Sequence, residues 1–301
     1  MLIFDCDNAD TTTVNDLLDF AENEVDFQDH DSLRAAALKL NALSNDASVV
    51  ASFMSKSILD YFVKGELPTS GPQSMILGAR ERFYVRANIW LPLAGQSPFY
   101  KHEQRLYSYG SAHNHNFNFM TVSHFGPGYE TDLYTVTASR LVGEIGEQTD
   151  LRFVGRHSFP RSRVMVYEEH NDVHVQHPPE AVSISINLME RRDTDIESDQ
   201  YYFDVESGRI SAIPEFAGVY RRASIVRLAA EVADAETFDL LEGLYRETSC
   251  RRIKEALVGS LITVGRREPE FARSILSAAS RDSDPLVKAQ AERAERSISS
   301  N

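Results

Sequence analysis

Apolar positions along the chain change period twice. Up to residue 65 they recur at helical spacing. Thr13 and Asp16 can open a first helix through Leu17, Leu18, Ala21 and Val25. Ser32 opens a second, with Leu33, Ala36, Ala37, Leu38, Leu40 and Leu43 at helical spacing, and a third runs from Ala47 to Val63 through Val50, Phe53, Met54, Ile58, Tyr61 and Phe62. Gly65, Pro68, Gly71 and Pro72 then read as a linker. From Met75 the pattern becomes short runs of aromatic and β-branched residues, beginning with Arg82-Phe-Tyr-Val-Arg-Ala-Asn-Ile-Trp-Leu and recurring at Asn116–Val122, Thr131–Val142, Val164–Glu168, Val173–Gln176, Ala181–Met189 and Tyr201–Val205. Breaks of Gly, Pro, Asn and Asp separate them, as in an antiparallel sandwich or barrel. Beyond Pro214 helical spacing returns, with Phe238, Ile253 and Ala256 lining up with Phe271, Leu286 and Ala289 at an offset of 33 residues.

These periods predict an α+β protein in three parts. Residues 1–72 form an N-terminal helical region, 75–212 a central antiparallel β-barrel or sandwich, and 213–301 a C-terminal helical region. The segment Asp282-Ser-Asp-Pro-Leu-Val-Lys-Ala-Gln-Ala resembles the inner-helix start of HEAT-type repeats, whose stacked helix pairs offer a surface for a protein partner. A small helical bundle fits the same pattern.

Composition narrows the function. A formal net charge of −14 argues against binding nucleic-acid backbones or anionic membrane surfaces. No apolar run approaches a membrane span, and the N-terminus carries acids where a secretory signal carries bases. Cys6 and Cys250 are far apart and sit in no motif. The default expectation is a cytoplasmic protein without a disulfide framework.

Histidine is the informative residue. Eight of the nine fall between residues 102 and 177, including His113-Asn114-His115 in a stretch that reads as strand. Residues i and i+2 of a strand share a face, so the two imidazoles can meet at one metal ion. His177, in a later strand-like run, is the first choice as third ligand and His174 the second. On a regular strand, His174 and His177 face opposite sides, so a bulge near Gln176–Pro178 would be needed to interchange them.

Gly110, His113, His115, Gly126 and His177 resemble the motifs of the cupin superfamily, a double-stranded β-helix fold whose first motif runs Gly…His-x-His…Glu…Gly and whose second adds a histidine. Where the motif glutamate should fall, this chain has Asn118, Phe119 and Met120. The site the resemblance implies is thus three histidines without glutamate, with Glu130 as a more remote carboxylate.

Within the superfamily, the thiol dioxygenase branch is the most similar. His177-Pro-Pro-Glu-Ala-Val-Ser-Ile resembles its third-ligand segment, with His170 seven positions upstream. Tyr84-Val85-Arg86 resembles its Tyr-Thr-Arg, whose arginine binds the substrate carboxylate. Met120 stands where members often have a cysteine crosslinked to tyrosine, so no crosslink is expected.

The resemblance implies Fe(II) held by His113, His115 and His177, Arg86 on a substrate carboxylate, and His170 tuning the centre from behind the ligands. Imidazoles also suit Zn, Ni, Mn or Cu. The expected activity is a non-haem oxygenase using O2 on a small amino-acid-like or thiol-bearing substrate. Two other readings stay open: a cupin that binds metal or ligand without turnover and contacts a protein partner through its helices, and a non-oxidative metal-dependent isomerase or lyase.

Overall fold

A computed structural model of the chain describes residues 1–66, 71, 73–93, 95, 98–214 and 218–299. Pro68 and Pro72 of the expected linker lie outside them. The chain divides into two compact units: Met1–Ala138 with Asp150–Arg192, and Ser139–Thr149 with Asp193–Asn301.

The first unit opens with strand β1 (Leu2–Asp5), which no periodicity could announce in four residues. Helices α1 (Val14–Glu24), α2 (His30–Asn45) and α3 (Ser48–Ile58) follow, and α3 continues as a π-helical turn over Leu59–Val63. Thr13 caps α1 by accepting from the Asp16 backbone N–H at 3.1 Å. Asp29, rather than the expected Ser32, caps α2, and the Ser32 hydroxyl instead donates to the Glu24 carbonyl. Only the first turns of α3 pack inward; Ile58, Phe62 and Val63 lie on the surface.

The strands of this unit are β2 (Ser74–Ala79), β3 (Phe83–Trp90), β4 (Ala112–His113), β5 (Phe119–Phe125), β6 (Glu130–Thr135), β7 (Arg152–Ser158), β8 (Arg163–Tyr167), β9 (Asp172–Gln176) and β10 (Ser183–Glu190). A short helix α4 (Tyr100–Leu106) interrupts a region where the sequence showed no helical pattern. Strands β3 to β10 fall into two antiparallel sheets ordered β8-β5-β10-β3 and β4-β9-β6-β7, with β1 and β2 at the edges of the first. Apart from the β6–β7 hairpin, successive strands from β3 to β10 alternate between the sheets, which is the double Greek key of a jelly roll. The α+β expectation of a central antiparallel sandwich with flanking helices describes the chain.

The faces of the first sheet differ in chemistry. Val85, Ala87, Met120, Val122, Ile186 and Leu188 pack against Leu17, Leu18, Leu33, Leu40 and Leu43 of α1 and α2. The opposite face, with Trp90, Phe119, Met165, Tyr167 and Met189, looks into the jelly roll towards Leu133. Gly126 and Gly128 make the β5–β6 turn at φ +79° and +80°. A Cβ there would sit 2.1 Å from the Val182 carbonyl and 1.9 Å from that of Phe159, so both positions require glycine.

The second unit holds a hairpin, β11 (Tyr202–Asp204) and β12 (Arg209–Ala212), and helices α5 (Gly218–Val232), α6 (Ala235–Glu247), α7 (Arg251–Val264), α8 (Pro269–Ala279) and α9 (Pro285–Ser299). Helix α7 packs between α5 and α9, with α6 and α8 alongside. The 33-residue offset carries the bounds of α6 and α7 close to those of α8 and α9, and the Phe238 and Phe271 rings meet at 4.8 Å. These units divide the chain differently from the expected boundaries. The N-terminal helices share a core with the sheets, while β11–β12 and Ser139–Thr149 go with the C-terminal helices. No helix among the described residues is long and apolar enough to cross a membrane.

Candidate metal centre

His113 ends the two-residue strand β4 and lies directly opposite His174 of β9. Directly paired residues of an antiparallel ladder point to one face. His115, two positions on, brings its ring to the same place. Nε2 of His174 lies 3.1 Å from Nε2 of His113 and 3.1 Å from Nε2 of His115. Nitrogens bound about 2.1 Å from one ion at adjacent octahedral corners stand about 3.0 Å apart, so these edges fit a shared metal.

The protonation states agree with ligation. His113 Nδ1 donates to the Ser111 carbonyl at 2.9 Å, which leaves Nε2 with its lone pair free to bind. The Gln176 amide Nε2 lies 3.3 Å from His174 Nδ1, and His115 Nδ1 is buried without a partner. Burial lowers the His113 pKa against the opposing Ser111 bond. His115 is held well below the ordinary value, first by burial and then by His113, His174 and Arg86; His174 is also well below it, by burial and His113. All three are neutral at neutral pH, the form a metal requires. Among the described residues, His113, His115 and His174 are the group able to hold a divalent metal.

His177 is not brought to this point. It stands three residues beyond His174, and β9 runs straight enough to turn it to the other face. Its Nε2 lies 2.8 Å from Asp132 Oδ2, and Arg156 holds the same carboxylate through contacts of 2.5 and 2.7 Å. This is a rim ion pair, with Asp132 drawn below the usual carboxylate range chiefly by Arg156. Position parity was the available signal for preferring His174.

His170 sits in the β8–β9 turn at φ +60°. Its backbone N–H donates to the His115 carbonyl at 2.7 Å, and its carbonyl accepts from Asn114 Nδ2 at 2.9 Å. Its contribution to the site is therefore made through the main chain, which pins the His-x-His segment. The ring turns to Glu169 at 3.7 Å. Glu130 is the exposed first residue of β6.

Arg86 of β3 projects into the interior, close enough to His115 to depress its pKa. Its Nε is buried without a hydrogen-bond partner. Arg86 and His115 are half-buried. Phe117 and Phe119 each stand 4.9 Å from the His115 ring, and Tyr167 stands 4.8 Å from that of His174. Burial raises the Tyr129 and Tyr167 hydroxyls, so both keep their protons.

No family model and no curated protein matches this sequence. Solved structures do. A sugar phosphate isomerase from a cupin superfamily, from Silicibacter pomeroyi, is 13 % identical over 44 % of this chain and 71 % of its own, with a TM-score of 0.24. Hydroquinone 1,2-dioxygenase PnpCD is 12 % identical over 42 % of this chain and 68 % of its own, at 0.25. The DMSP lyases RdDddP and RnDddQII give 10 % identity over 39 % of this chain, at 0.23, and the match spans only 42 % of that chain.

Proposed function

We propose that this chain is a cupin metalloenzyme, a mononuclear non-haem iron oxygenase whose metal is held by His113, His115 and His174. One observation carries the reading: three neutral imidazoles, two buried and one half-buried, converge, with His174 Nε2 3.1 Å from each of the other two Nε2 atoms. Three protein ligands leave other positions on the metal open for substrate and O2. Iron(II) held there would supply the redox chemistry that joins the two.

The chain's own residues would bind and orient. Arg86 offers its guanidinium to a substrate carboxylate, and its lack of a partner at Nε supports that role. Tyr129 and Tyr167, protonated in the interior, can donate hydrogen bonds to bound oxygens. Phe117 and Phe119 shield the His115 side from water. The substrate class is a small, amino-acid-like or thiol-bearing carboxylate. Oxygen uptake by the iron-loaded protein across a panel of such acids tests this. Substrate-dependent uptake that is lost in Arg86→Met is expected, whereas no uptake from any acid with iron in place would overturn it.

A second reading has its own support. Ile225, Leu228 and Val232 lie exposed along one flank of α5. An apolar flank of this kind favours a protein partner at the C-terminal helices, with the metal site binding without turnover. A stable complex that requires α5, together with absent oxygen uptake, would favour it.

A further inference from the structure

Spacing on the helices of the second unit brings one set of side chains to a common cleft. Val219, Ala223 and Arg227 follow one another turn by turn on α5, Leu286 and Gln290 do so on α9, and α7 packs between these two helices. The cleft holds about 430 Å³, the size of a small-molecule site, and all of its lining belongs to the second unit. Ile145, Ile213, Val219, Ala223 and Leu286 give it an apolar wall. Arg227 and Gln290 also line a second cleft of about 390 Å³, so they mark the end where the two meet.

The polar groups of the cleft divide into spent and unspent. Every carboxylate is taken. Asp199 accepts from Arg252 Nε at 2.8 Å, Glu255 from Arg252 Nη1 at 3.2 Å, and Glu144 from Arg293 Nη2 at 2.7 Å. The groups with capacity left are donors. Arg227 comes within 3.6 Å of Glu255 but makes no hydrogen bond among the described residues, and its side chain is 42 % exposed, so a ligand can reach it. Gln290 spends its amide oxygen on Arg293 at 3.0 Å and keeps both amide hydrogens. Tyr220 is exposed, and its hydroxyl has no partner among the described residues.

An accessible guanidinium among spent carboxylates selects an anion, and its planar fork matches a carboxylate. Glu255, 3.6 Å away, makes a single negative charge a better fit than a doubly charged phosphate. Val219 stands about 12 Å from Arg227 along the helix axis, eight residues at the helical rise, so the wall runs the length of an eight-carbon chain.

We propose that this cleft binds an amphipathic monocarboxylic acid of medium chain length, its carboxylate on Arg227 and its hydrocarbon tail along the α5 wall towards Val219. The site is separate from the metal centre and from Arg86, and rests on neither.

Calorimetric titration of the whole chain with octanoate, octanol and octylamine tests it. Octanoate should bind about tenfold tighter than octanol, the usual worth of a hydrogen bond to a charged group, and octylamine more weakly than either. Arg227→Met should bring octanoate to the level of octanol. Ile145 is 65 % exposed, so the fold can spare it, and Ile145→Asp should weaken octanoate and octanol about tenfold by placing a charge in the apolar wall. Arg86→Met should change nothing. A preference for octanoate that survives Arg227→Met overturns the proposal. So does octylamine binding as tightly as octanoate, binding indifferent to Ile145→Asp, or no binding at millimolar concentration. Loss of octanoate in Arg86→Met but not in Arg227→Met overturns it too, and leaves the carboxylate role of Arg86 standing.

Discussion

His113 and His174 are register partners across β4 and β9, and their Nε2 atoms stand 3.1 Å apart. The pairing couples the candidate metal centre to the register of the second sheet, because a one-residue slip of β9 would turn His174 away and bring Val173 or Val175 inward.

Gln176 follows His174 on the same strand face and lies 3.3 Å from its Nδ1. The amide Nε2 is the atom that faces the ring, 3.3 Å from Nδ1 and 3.4 Å from Nε2, so Gln176 fixes where the imidazole sits. Gln176→Leu should weaken metal affinity by at least about tenfold while leaving the fold intact. Competition with a chromogenic chelator measures this.

The three imidazoles make stability pH-dependent. Each has a folded-state pKa below the ordinary 6.5, so the unfolded chain binds more protons as the pH falls. The metal-free protein should therefore lose stability as pH falls below about 6.5, and continue to do so until the buried rings protonate. Saturating metal should offset the loss near neutrality. Denaturant midpoints across this range, with and without metal, check the sign.

Asp132, His177 and Arg156 form a group at the rim, where Arg156 is half exposed. Exposed pairs contribute little. His177→Ala should change stability by less than about 1 kcal/mol in a denaturation series.

Arg252 and Asp199 form a different kind of pair. Both are buried, at 2.8 Å, and Arg252 also donates to the Gly143 carbonyl. Removing one partner strands a charge away from water. Asp199→Ala should destabilise the second unit by about 3–5 kcal/mol, seen as a lowered midpoint of its unfolding transition.

Much of this was legible before the fold. Strand alternation pointed to His113 and His115 meeting, although the strand ends at His113 and His115 lies just beyond it, and the 2- and 3.6-residue periods located the sheets and most helices. The third imidazole was not legible in the same way. The motif around His177 favoured that residue, whereas β9 keeps its alternation through Gln176 and presents His174. Strand β1 and helix α4 are too short to show a period, and tertiary contacts decide them. The α2 cap went to Asp29 because its carboxylate accepts from two backbone N–H groups, at Asp31 and Ser32.

Metal content after anaerobic purification tests the central claim most directly. Wild type and His177→Ala should carry near-stoichiometric iron, while His113→Ala and His174→Ala should lose it. Full iron in His174→Ala, or its loss from His177→Ala alone, would contradict the assignment.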